Sequence, residues 1–210
     1  MSIQTLAFAV VALALAAVPA HAEPIRIVAL GDSLSAGYGL ESADAFTGVL
    51  QAALVARGHD VVIVNAGVSG DTASDGLARV DWSVGEDADA VIVELGANDA
   101  LRGVDPAIAR DALDRLLARL GERGLPVLLA GMRAPPNLGA DYAATFDPIY
   151  PELAEKHGTL LYPFFLDGVA ADTGLNQPDG IHPNAAGVEI IVERMVPAVE
   201  SLIAAAAAAN

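Results

Sequence analysis

Four short clusters of small and polar residues follow the most apolar stretches of the chain, and their contents suit one kind of chemistry. They are Gly31-Asp32-Ser33-Leu34-Ser35, Asn65-Ala66-Gly67-Val68-Ser69-Gly70-Asp71-Thr72, Gly96-Ala97-Asn98-Asp99 and Asp179-Gly180-Ile181-His182-Pro183. A serine hydroxyl is a weak nucleophile until a neighbouring base takes its proton. Ser33 is the candidate hydroxyl, and His182, in a loop punctuated by glycine and proline, is the candidate base. Asp179 lies three residues earlier, near enough to turn back onto the imidazole and hold its tautomer. A tetrahedral intermediate needs preorganised donors. The N–H groups of Ser33 and Gly70 and the side-chain amide of Asn98 are of the right type. The remaining polar residues have plainer expected roles: Asp32, Asp71 and Asp99 bond within turns, and Ser35 and Ser69 are structural.

Chemistry of this kind requires that distant clusters meet, and the elements between them predict that they do. Five β-branched or aliphatic runs recur, at 25–30, 61–65, 90–95, 125–130 and, more weakly, 160–162. Most are continuous rather than alternating, as in strands buried on both faces of a parallel sheet. Helical patterns separate them. One runs over 43–57 and stops at Gly58; another runs over 106–123, with Asp105 as N-cap, Pro106 at the first helical position and Gly124 at its end. In the second, Ile108, Leu113, Leu116, Leu117 and Leu120 form one apolar stripe. A third runs over 142–157, where Pro148 and Pro151 predict a kink, and a fourth over 184–209, ending in an alanine run expected to fray. Alternating strands and helices predict an α/β protein, a three-layer α/β/α sandwich with right-handed crossovers. Residues after strand C-termini then share one edge, where ligands bind. Nothing between 23 and 210 reads as a linker or repeat, so a single domain is expected.

Composition narrows the function classes. Lys and Arg number 11 against 27 Asp and Glu, a formal net charge of −16. Such a chain repels phosphate backbones, which argues against nucleic-acid partners. There is no cysteine, so neither a disulfide nor a thiol nucleophile exists. No two histidines have metal-ligand spacing, and no metal is expected. His59 and His157, beside Gly58 and Gly158, read as solvated helix caps, and Trp82 as a core residue. Residues 1–22 lack Asp, Glu, Lys and Arg, and the apolar run Leu6 to Val18 precedes Ala20-His21-Ala22. This pattern predicts a secretory leader cleaved after Ala22, because the run falls short of the ~20 residues that span a bilayer. The expected location is therefore periplasmic or secreted, with no stable membrane insertion after cleavage.

The four blocks resemble those of the GDSL esterases, the SGNH hydrolase family, named for Ser, Gly, Asn and His in four blocks. All four occur in order, as Gly31-Asp32-Ser33-Leu34, Gly70, Gly96-Ala97-Asn98-Asp99 and Asp179-Gly180-Ile181-His182, and the likeness runs from about Ile25 to Val196. It extends, toward a bacterial periplasmic thioesterase and lysophospholipase group, to Glu94-Leu95-Gly96, Leu101-Arg102-Gly103 and Met132-Arg133-Ala134-Pro135. Ala97 stands where glycine is common in that group, and Ala134 where leucine is expected. The resemblance implies a flavodoxin-like parallel five-stranded sheet. It implies Ser33 as nucleophile, Asp179 and His182 as its partners, and Ser33, Gly70 and Asn98 as the oxyanion hole. It further implies action on small-molecule carboxylic esters and thioesters without a cofactor, in a monomer. Leu101, Val104, Met132, Pro135 and Leu138 could line an acyl groove, or could simply anchor loops. A carbohydrate O-deacetylase of the same fold and a non-catalytic phosphate-binding module are the other readings.

Overall fold

The computed structural model describes residues 23–209, so the expected leader lies outside the described residues. Five strands, β1 (Ile25–Gly31), β2 (Val61–Gly67), β3 (Ala90–Glu94), β4 (Val127–Ala130) and β5 (Leu160–Tyr162), pair in parallel in the order β2-β1-β3-β4-β5. β1 is flanked on both sides: Gly31 at its C-terminus registers with Gly67 of β2 and with Glu94 of β3. The chain reverses its direction of progress across the sheet between β2 and β3, which opens a crevice at the strand C-termini beside β1.

The helices form the outer layers. α1 (Ser33–Ala36) follows β1 directly, and α2 (Phe46–Ala56) packs on the long C-terminal α8 (Ala185–Ala209). α3 (Ala73–Ser83) packs on α5 (Pro106–Glu122), and α5 on α7 (Ile149–His157). Short α4 (Ala97–Leu101) follows β3, and a 3₁₀ turn (Pro136–Leu138) and α6 (Ala140–Phe146) follow β4. Ile27 to Leu30, Ala90 to Val93 and Leu128 to Ala130 are buried, as expected for strands covered on both faces. With Leu113, Leu116, Leu117 and Leu120 of α5 and Val192, Met195, Val199 and Leu202 of α8, they belong to one apolar cluster.

Several boundaries differ from the sequence reading for local reasons. The helix expected over 142–157 is two helices, broken at Asp147-Pro148, where proline removes a backbone donor. α2 starts at Phe46 because Ala45 is extended. The alanine run continues α8 to Ala209 instead of fraying, with Ala206 fully buried. α3 escaped the reading, although Thr72 and Asp75 form a capping box in which each side chain bonds the other's backbone N–H. Two residues expected inside are outside. Trp82 is 74% exposed on α3, and Ile108 is 53% exposed at the edge of the α5 stripe. His59 and His157 are not simply solvated caps: their Nε2 atoms face Glu200 at 3.3 Å and Asp114 at 2.6 Å.

The turn from β1 into α1 is packed against its neighbours without slack. A Cβ on Gly67 would lie 2.3 Å from the Ala36 backbone nitrogen, and one on Gly31 would lie 2.2 Å from Ser35 Oγ. Glycine at both strand ends therefore lets α1 sit directly on the sheet edge, which sets the position of Ser33.

Candidate active site

Ser33 is the first residue of α1. Its N-cap, Asp32, accepts the Leu34 N–H at 3.0 Å through Oδ1. First-turn N–H groups have no intrahelical acceptor, and among the described residues the Ser33 N–H donates to none. Ser33 Oγ lies 3.0 Å from His182 Nε2, and His182 Nδ1 lies 2.7 Å from Asp179 Oδ2. Asp179 Oδ1 accepts the backbone N–H groups of Ile181 and His182, at 2.9 and 3.0 Å. The 179–182 segment thus closes on its own carboxylate, and Gly180 supplies the left-handed conformation at φ +71° that the turn requires. The His182 and Ile181 N–H groups, then the imidazole, hold the Asp179 carboxyl down to about 2, so it stays charged at every working pH.

Three further groups steady the imidazole. The Tyr38 ring lies 4.5 Å from the His182 ring, centroid to centroid. The Gln177 amide donates to the carbonyls of Tyr38, at 2.7 Å, and Pro183, at 3.0 Å, while its backbone N–H donates to the His182 carbonyl at 2.7 Å. Gln177 therefore ties the Ser33–Tyr38 loop to the His182 loop. Neither residue was singled out from the sequence, which carries no local signal for a bond between residues 139 apart.

The proposed oxyanion donors are arranged less simply. Gly70, at φ +90°, has an N–H with no acceptor among the described residues, and its carbonyl accepts from Arg102 Nη2 at 2.7 Å. Asn98 Nδ2 donates to Asp32 Oδ2 and to the Asp71 carbonyl, both at 3.0 Å. The amide thus joins the Ser33 turn to the Gly70 turn, and it reaches an oxyanion only by sharing a hydrogen or releasing a partner. Asp71 is in turn held by Arg79 Nε at 2.6 Å, and the same guanidinium donates to the Ala66 and Gly31 carbonyls at 2.8 Å. Asp99 accepts the Ala73 N–H at 2.8 Å, fixing α4 to the start of α3.

Beneath Ser33 lies a carboxylate that the sequence reading placed within the 90–95 run and in the Glu94-Leu95-Gly96 likeness, without a role of its own. Glu94 is fully buried. Its Oε2 accepts the Ser35 hydroxyl at 2.7 Å, Ser35 N–H at 3.2 Å and Asp32 N–H at 3.3 Å, whereas Oε1 has no partner among the described residues. Ser35 is thereby structural, its hydroxyl committed to Glu94. Burial, then the nearby Asp32 charge, pushes the Glu94 carboxyl well above its usual range. Burial likewise pushes Asp32 up to about 6, against the opposing pull of the Leu34 N–H and Asn98.

Ser33, Asn98 and His182 open onto a cavity of about 540 Å³. Leu101, Met132 and Pro135 line it, together with Ala134, Phe164 and Ile181. Val104 and Leu138 do not. The Val104 carbonyl accepts from Tyr142 Oη at 2.7 Å, and Leu138 lies in the 3₁₀ turn, near Gly103. Among the described residues no cluster of three metal-ligating side chains exists, and no helix is long and apolar enough to cross a membrane.

Comparison with known proteins identifies the family. The model of the GDSL-like Lipase/Acylhydrolase family matches residues 29–190. The chain belongs to that family. It is 38% identical over 192 residues to "Esterase TesA" of Pseudomonas aeruginosa, covering 91% of this chain and 96% of the relative. It is 35% identical over 178 residues to "Thioesterase 1/protease 1/lysophospholipase L1" of Escherichia coli, covering 84% of each. Among solved structures, AlinE4, an SGNH-hydrolase family esterase, superposes with a TM-score of 0.74 at 48% identity, covering 87% of this chain and 98% of that one. The three-layer α/β fold is that of the SGNH hydrolases.

A carboxyl whose folded-state value is raised favours the fold while protonated. Its contribution is fully present below the unfolded value of 3.8 and is lost as pH rises through about 6. Asp32→Asn removes that titration. Denaturant melts of both proteins should show the variant gaining stability relative to wild type between pH about 4 and neutral. A gap that stays constant across this range would contradict the burial argument.

Proposed function

We propose that this chain is a serine hydrolase that cleaves carboxylic esters and thioesters through an acyl-enzyme. The observation that carries the reading is the continuous Ser33–His182–Asp179 relay, at 3.0 and 2.7 Å, opening onto an apolar cavity. His182 Nε2 takes the Ser33 proton as Oγ attacks the acyl carbonyl, and the C=O electron pair moves onto oxygen. The Ser33 and Gly70 N–H groups, which have no acceptor among the described residues, are free to receive that charge, with Asn98 as a third donor. Asp179 holds the Nδ1–H tautomer and stabilises the imidazolium. Collapse of the intermediate breaks the carbonyl bond to the leaving oxygen or sulfur, which takes the proton from His182. Water, deprotonated by His182, then attacks the acyl-Ser33 ester, and Ser33 leaves with that proton.

The cavity suits short to medium acyl chains, and its apolar walls account for an acyl rather than a glycan substrate. The esterase and thioesterase names of the relatives support both leaving atoms. No cofactor enters the sequence of steps, and the enzyme acts as a monomer on small-molecule acyl substrates. The uncharged leader-like segment supports export, with cleavage after Ala22 and a periplasmic or secreted mature form.

Ser33→Ala should lower kcat/KM on p-nitrophenyl butyrate at least about 10³-fold and abolish labelling by a fluorophosphonate, because the nucleophile itself is gone. Near-wild-type turnover would overturn the assignment of Ser33. N-terminal sequencing of the exported protein should begin at Glu23; a chain still beginning at Met1 would contradict cleavage.

A further inference from the structure

All eleven basic side chains of this strongly acidic chain lie among the described residues. Eight are ion-paired with carboxylates. Arg102 and Arg123 instead donate to the carbonyls of Gly70 and Gly85. Among the described residues, Arg133 alone makes neither kind of bond. Its guanidinium carbon lies 5.0 Å from the centre of the Phe164 ring. Even Asp147, which accepts the N–H of the next residue, Ala134, at 2.8 Å, does not pair with it.

With Asp and Glu in such excess, a surface guanidinium readily finds a carboxylate, so one left without a carboxylate needs a reason. Its position supplies one. Arg133 follows β4 and Phe164 follows β5, and both line the cavity that holds Ser33 and His182. Among the described residues, Arg133 is the one Lys or Arg on that lining. The aromatic face supports the flat guanidinium while leaving its N–H edge open, the geometry suited to bidentate capture of a planar or tetrahedral anion. Asp32, the one carboxylate on the lining, is already bonded to Leu34 N–H and Asn98.

We propose that Arg133 is an anion-recognition residue of the acyl cavity, selecting esters or thioesters that carry an anionic group near the scissile carbonyl. This rests on the hydrolase reading of Ser33. The anionic group can belong to the acyl chain or to the leaving group, and Phe164 serves as the platform that holds the guanidinium toward it.

The test uses two matched pairs of substrates. One is p-nitrophenyl hemiglutarate with its methyl ester, which differ in charge on the acyl side. The other is 4-(butyryloxy)benzoate with its methyl ester, which differ on the leaving side. Arg133→Met keeps the length and apolar contact with Phe164 but removes the charge. It should lower the anionic-to-neutral ratio of kcat/KM at least about tenfold in one pair, with the neutral esters changed by less than about twofold. Arg133→Lys should restore part of the ratio, and the responding pair identifies the side that carries the anion. Ratios in both pairs unchanged by Arg133→Met, with fluorophosphonate labelling of Ser33 intact, would overturn the role of Arg133 alone. No turnover of the neutral esters and no labelling of wild type would overturn the hydrolase reading and this one with it.

Discussion

The hydrogen bond between Ser33 Oγ and His182 Nε2 joins residues 149 apart in the chain, and the proposed chemistry depends on its holding at 3.0 Å. A parallel sheet makes such a meeting possible. Every strand ends on the same edge, so loops far apart in sequence emerge side by side. The sheet alone does not set the distance. On one side, the glycines at the ends of β1 and β2 let α1 press against the strands. On the other, Asp179 folds the His182 loop onto itself, and Gln177 ties that loop to Tyr38. The relay is thus positioned by backbone groups more than by side-chain packing.

The same edge carries groups that work against stability. Glu94 is buried with one oxygen unbonded, Asp32 is buried beside it, and Asp99 also has an unbonded buried oxygen. Burying a carboxyl with unfilled lone pairs costs roughly 1–3 kcal/mol or more. Each of these carboxyls, however, fixes a backbone segment of the site: Glu94 the 32–35 turn, Asp32 the start of α1 and the Asn98 amide, and Asp99 the start of α3. Strain of this kind concentrates where geometry matters to function rather than to folding. The Asn98 amide makes the point most directly. Both of its hydrogens are occupied, by Asp32 and by the Asp71 carbonyl, so under the proposed mechanism Asp32 competes with the developing oxyanion for the same donor.

Much of this was legible in the sequence because it is local. Continuous apolar runs marked the central strands, Asp105-Pro106 and Gly124 bracketed α5, and the four blocks of small polar residues marked the edge on which the relay is built. What escaped was set by tertiary contact. α3 carries Gly76 in its interior and was missed despite its capping box, and Trp82 on it proved exposed. Val104 and Leu138 are apolar and close in sequence to Leu101 and Pro135, which line the cavity, but they do not line it themselves. Glu94 falls within the 90–95 run, yet its bonds to residues 32 and 35 depend on strand register. The solitary state of Arg133 emerges only when every other cation has been given its partner.

The most direct test of the relay is a crystal structure of the protein inhibited by a monoethylphosphonate. The account predicts phosphorus bonded to Ser33 Oγ, His182 still paired with Asp179, and one phosphonyl oxygen within about 3 Å of the Ser33 and Gly70 nitrogens and of Asn98 Nδ2. Phosphorus on another residue, or that oxygen turned away from all three nitrogens, would contradict it.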